Sequence, residues 1–123
     1  MIHLDTNFLI QSLVPGTPAE AKVLTWLAAG EDFGISTVAW SEFLCGPITP
    51  QDEMLAQLLL SAPEPFIAAD ARKAAALFNL TGRRSRTLAD CQIAAVALRC
   101  GVTLATGNTA DFIPLQNHGL NLA

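Results

Sequence analysis

Short apolar or β-branched runs alternate with longer stretches of helical periodicity along this 123-residue chain. A buried strand needs only a few apolar residues, whereas the return to a parallel neighbour needs a dozen or more, usually wound as a helix. The alternation therefore predicts an α/β fold around a mostly parallel sheet. It places strands at 2–4, 33–36 and 102–105, with one more short strand in the tail from Phe112. Helices are expected at 8–14, ended by Pro15-Gly16, at 18–29, stopped by Gly30, and at 38–45, closed by Gly46-Pro47. Thr49 before Pro50, with Asp52 and Glu53 in the first turn, opens a helix running to about residue 61. Further helices are expected at 70–80, before Gly82, and at 88–99, before Gly101.

With 51% hydrophobic residues, residues 1–123 suit one domain with a real core and leave little room for a second. The formal charge of −4 excludes a protein that coats nucleic acid through bulk positive charge. Its distribution is uneven: residues 1–71 hold nine acidic residues and one basic one, Lys22, while Arg83, Arg84 and Arg86 crowd into four positions. Three cysteines, Cys45, Cys91 and Cys100, lack CxxC spacing and suit buried free thiols in a reducing compartment. With no signal-like start and no apolar run near the ~20 residues of a membrane span, the expectation is a cytoplasmic protein.

Four acids carry the functional reading. Asp5, in "LDTNFLI", follows the first strand and is also a good helix cap. Glu42, in "SEFLCG", has no lysine or arginine one turn away, and Asp111, in "TGNTADF", sits in what reads as a loop after the last regular strand. Asp90 lies in the almost wholly apolar helix "LADCQIAAVALRC", where Thr87 three positions earlier allows a capping box. Each acid has a structural explanation alone. Together, the residues after successive strands of an open parallel sheet converge on its carboxyl edge, where ligands bind. Carboxylates gathered there raise one another's pKa unless a cation sits among them. Oxygen-only ligation favours Mg²⁺ or Mn²⁺ over Zn²⁺, and such ions handle phosphate oxygens, so phosphodiester hydrolysis is the leading chemistry. Arg83, Arg84 and Arg86 then become candidate RNA-binding groups, since guanidinium binds phosphate in bidentate fashion.

The segments "LDTNFLI", "SEFLCG", "LADCQIAA" and "TGNTADF" resemble, in order and approximate spacing, the four acidic motifs of PIN-domain nucleases, particularly the VapC-like toxin ribonucleases of bacterial toxin-antitoxin pairs. The resemblance spans nearly the whole chain. It implies a three-layer α/β/α sandwich and Mg²⁺- or Mn²⁺-dependent cleavage of single-stranded RNA. It assigns Asp5, Glu42, Asp90 and Asp111 to the metal site and Thr6, Asn7, Thr106 and Asn108 to supporting polar roles. It further implies a homodimer and a small antitoxin partner that reaches into the acidic crevice. Related domains that process RNA without an antitoxin are the alternative within the same fold.

Rival chemistries lack their residues. A haloacid-dehalogenase phosphatase needs a second aspartate where this chain has Asn7, and no glycine is followed by lysine as a P-loop requires. Neither G-x-G-x-x-G after the first strand nor a G-x-S-x-G elbow is present. His3 reads as structural and His118 as a tail residue. A non-catalytic RNA- or protein-binding module would gain little from four mutually repelling acids. With no tyrosine in the chain, recognition of RNA is expected to rest on shape and phosphate contacts more than on stacking.

Overall fold

In the computed structural model, which describes residues 1–123, β1 (Ile2–Leu4) lies between β2 (Phe33–Gly34) and β3 (Thr103–Ala105) in an all-parallel sheet of order β2-β1-β3. Ile2 pairs with Phe33 on one side and Thr103 on the other, and Leu4 with Ala105, so the carboxyl ends of β1 and β3 finish level. Bridges from Phe33 to Leu60, Ser36 to Glu64 and Leu104 to Leu122 cover both edges of this sheet with irregular chain. That removes the bare strand edges that would otherwise template aggregation.

Seven helices connect and flank the strands in an α/β/α sandwich: α1 (Thr6–Ser12), α2 (Pro18–Ala28), α3 (Thr37–Cys45), α4 (Pro50–Leu59), α5 (Ala68–Leu80), α6 (Leu88–Cys100) and α7 (Thr109–Gln116). Their starts follow local chemistry. Thr17 caps α2 ahead of Pro18, Ser36 caps α3 through Ala39 N–H at 3.1 Å, and Thr49 forms a reciprocal box with Asp52 on α4. Gly101, at φ +66°, ends α6 in the left-handed conformation that glycine adopts without steric penalty.

The core is a cluster of 23 buried residues around the sheet, with Leu4, Phe33, Ile35, Phe43, Leu104 and Phe112 fully enclosed. α6 is its central helix, burying Cys91 and Ile93 to Ala97. His3 is buried as well, and a Cβ on Gly34 would come within 2.7 Å of its ring, so the pair is a packing unit. Arg99 on α6 clamps the outer layer: its guanidinium donates to Asp70 and Glu64, each at 2.9 Å, and to the Pro65 carbonyl at 2.9 Å. Asp70 is almost wholly buried, and this clamp together with Ile67 N–H satisfies its carboxylate.

Three expectations are corrected. The tail from Phe112 first forms α7, because burying Phe112 and Leu115 three positions apart on one helical face outweighs the interior Pro114, and the short strand expected there is reduced to a single parallel bridge at Leu122. Strand β2 stops at Gly34, since Ile35 and Ser36 turn into the cap of α3. Of the three free thiols only Cys91 is buried, whereas Cys45 is exposed. No helix is long and apolar enough to cross a membrane.

Candidate active site

Asp5 is the first residue beyond β1, held there by its own N–H bonding the Ala105 carbonyl at 3.0 Å. It is both cap and site residue. Oδ1 accepts Phe8 N–H at 2.8 Å at the start of α1, while Oδ2 accepts the Thr106 hydroxyl from the end of β3. Thr106 in turn accepts Asn108 N–H at 2.9 Å, so the carboxylate's orientation is fixed from two sides. Asp5 is only 5% exposed, and burial pushes its pKa up against the lowering effect of these two bonds.

Glu42 is the sixth residue of α3 and is exposed. It reaches the sheet edge because Thr6, the first residue of α1, donates its hydroxyl to Oε1 at 2.9 Å. Asp111 is not a loop residue but sits in the first turn of α7, where Asn108 donates its amide to Oδ2 at 2.7 Å. Asp90 occupies the corresponding third position of α6. There the expected capping box is absent. Thr87 ends a 3₁₀ turn (Ser85–Thr87) at φ −99° and ψ 2°, away from the extended geometry of a cap, and donates its hydroxyl to the Arg84 carbonyl instead.

Asp90 is thus left with no hydrogen-bond or ion-pair partner at the mouth of the cleft. Burial first, then the negative charges of Asp111, Asp5 and Glu42, push its pKa up to about 6. The influence of all three places the four acids in one electrostatic neighbourhood. A cleft of about 280 Å³ is lined by Asp5, Thr6, Asn7, Glu42, Asp90 and Asn108.

The arginine cluster divides. Arg86 points to the acids, with its guanidinium 3.7 Å from Asp111 Oδ1, the arginine side chain 65% exposed and the aspartate 16%. Arg83 turns away at φ +56° and donates to Asn79 Oδ1 at 2.7 Å, and Arg84 is exposed without an ion pair.

The donor set consists of carboxylates, amides and hydroxyls. No three His, Cys, Asp or Glu side chains stand close enough together to form a ready-made ion cage. Oxygen donors of this kind are those that hard cations take, with no thiolate or imidazole among them. Burial is the largest cause of the raised Asp90 pKa, the neighbouring acids add to it, and Arg86 opposes them.

Comparison with known families decides the lineage: the PIN domain family matches residues 2–113. The chain belongs to the PIN domain family. PIN domains are nuclease-type hydrolases that generally use divalent metals. Among solved structures, this PIN domain is similar to FitAcB from Neisseria gonorrhoeae, with a TM-score of 0.73 at 24% identity over 99% of this chain and 96% of that one. It is also similar to VapBC2 from Rickettsia felis bound to a fragment of promoter DNA, with a TM-score of 0.74 at 21% identity over 100% and 98% of the two chains. A toxin-antitoxin complex from Klebsiella pneumoniae gives a TM-score of 0.73 at 24% identity over 91% of this PIN domain and 90% of that chain. No match is found among curated proteins.

Proposed function

We propose that this PIN domain is a Mg²⁺- or Mn²⁺-dependent endoribonuclease that hydrolyses phosphodiester bonds of single-stranded RNA, and that it is the toxin of a toxin-antitoxin pair. The observation that carries the chemistry is Asp90, an unpartnered carboxylate whose pKa is raised to about 6 by burial and by Asp111, Asp5 and Glu42. A carboxylate left unpaired beside other acids costs folding stability and is neutralised by a hard cation.

Asp5, Glu42, Asp90 and Asp111 would hold the ion, directly or through its waters. When bound, the ion supplies a polarised phosphoryl group and a more acidic water. The chain's own residues supply geometry. Thr106 and the Phe8 amide fix Asp5, Thr6 holds Glu42, and Asn108 holds Asp111, so three carboxylates are oriented before substrate arrives. Arg86, exposed beside Asp111, is placed to meet a phosphate oxygen. In the reaction the water oxygen bonds to phosphorus as the bond to the leaving oxygen breaks. The proton given up by the water balances the one the leaving oxygen takes.

The toxin role draws on the neighbours, which include FitAcB, VapBC2 and a toxin-antitoxin complex. By analogy an antitoxin segment covers the acidic cleft, and the PIN domain acts in the cytoplasm as a homodimer in which residues 1–123 form one domain.

The test is cleavage of a labelled single-stranded RNA. Purified protein should cut with Mg²⁺ or Mn²⁺ and stop in chelator, and Asp5→Asn or Asp90→Asn should abolish cutting while circular dichroism stays native. Cutting in chelator, or wild-type rates in both variants, would overturn the reading. RNA binding without cutting would favour a non-catalytic module.

A further inference from the structure

Beside the acidic cleft lies a second one, of about 400 Å³, between α1, α2 and the turn after β3. Asn7 and Asn108 line both, so the two clefts adjoin. Their chemistry differs sharply. The second contains no carboxylate; its polar groups are the amides of Asn7, Gln11 and Asn108, the hydroxyls of Thr17 and Thr106, and the ammonium of Lys22.

Asn7 and Gln11 stand one turn apart on the same face of α1, both exposed, with their amide groups unbonded within the chain. Lys22, on α2, is the sole lysine or arginine among the first 71 residues and forms no ion pair, although nine acids share that stretch. Free side-chain amides offer paired donor and acceptor groups of the kind that read a base edge, and a lysine supplies the point charge that meets a phosphate. Each region thus has its own cation, Arg86 at 3.7 Å from Asp111 and Lys22 in the wall of the α1–α2 cleft. That arrangement lets an anionic strand cross a negative centre.

Building on the nuclease reading, we propose that the α1–α2 cleft is a nucleotide subsite. It holds the ribonucleotide next to the scissile phosphate, with Lys22 on its phosphate and the Asn7 and Gln11 amides on its base edge. The subsite contributes sequence preference that the acidic centre, which handles only phosphate, does not supply.

The test is fluorescence anisotropy of a 5′-labelled single-stranded RNA of mixed sequence, titrated in chelator with the wild type, Lys22→Gln and Gln11→Ala. A parallel arm maps the cleavage sites of a randomised RNA with Mn²⁺. Lys22→Gln should bind about 3- to 10-fold more weakly and flatten the log–log salt slope by about 0.7, the change expected for one lost phosphate contact on a single strand. Gln11→Ala should keep the salt slope and alter the base preference at one position beside the cut. Unchanged binding, slope and preference in both variants, or no RNA binding by the wild type, would overturn the subsite. If the binding changes occur but no metal supports cutting, the subsite stands and the nuclease reading fails.

Discussion

Replacing Asp90 by asparagine should stabilise the metal-free protein while destroying its activity. In the folded chain the Asp90 pKa is raised from 3.8 to about 6 by burial and by its acidic neighbours. A raised carboxylate pKa means the folded state holds its proton more tightly than the unfolded chain does. The associated stability is fully present below about pH 4 and is lost as pH rises through about 6. The shift corresponds to about 3 kcal/mol at 1.36 kcal/mol per unit. Because Asp90 opens onto the cleft, solvent screening reduces this to about 1–2 kcal/mol. In a chain of this length 1 kcal/mol moves Tm by roughly 3–5 °C. Thermal melts in chelator should therefore place Asp90→Asn about 3–10 °C above wild type at pH 7.5. The gap should close on acidification to about pH 4, and saturating Mn²⁺ should raise the wild type alone. An asparagine variant no more stable than wild type at pH 7.5, or a gap independent of pH, would refute the electrostatic reasoning.

Asp5→Ala should lose about 1 kcal/mol by removing the cap of α1, whereas Asp5→Asn keeps that cap and should lose only activity; urea denaturation of the pair separates the two roles. Thr106→Val frees Asp5 Oδ2 and should weaken Mn²⁺ binding about 10- to 100-fold with the fold intact, as read by calorimetry. Arg99→Met strands the buried Asp70 carboxylate and should lower Tm more than Glu64→Gln does, without changing Mn²⁺ affinity.

The parts of the fold that local chemistry decides were legible in the residues. Thr49-Pro50 with Asp52 opens α4 where capping rules place it, and the apolar helix around Ile93 is indeed the buried one. What escaped depends on tertiary context. Pro114 argues against a helix locally, yet Phe112 and Leu115 are buried by forming one, and only then does Asp111 become a first-turn residue facing the acids. The spacing of Thr87 and Asp90 permits a capping box, but the 3₁₀ turn before α6 takes Thr87 out of cap geometry and leaves Asp90 free. Three arginines in four positions looked equivalent, and the left-handed backbone at Arg83 leaves Arg86 as the one that meets the site. Lys22 and Gln11 stood out in no motif, because their relation to the acids exists only once α1 and α2 pack beside β3.

The claim that matters most is that the four acids form a hard-cation site whose open character depends on Asp90. Electron paramagnetic resonance of Mn²⁺ titrated into the protein at pH 7.5 tests it directly. The account predicts saturable loss of the free-ion signal with wild type and little or none with Asp90→Asn. Equal uptake by the two proteins, or none by either, would contradict it.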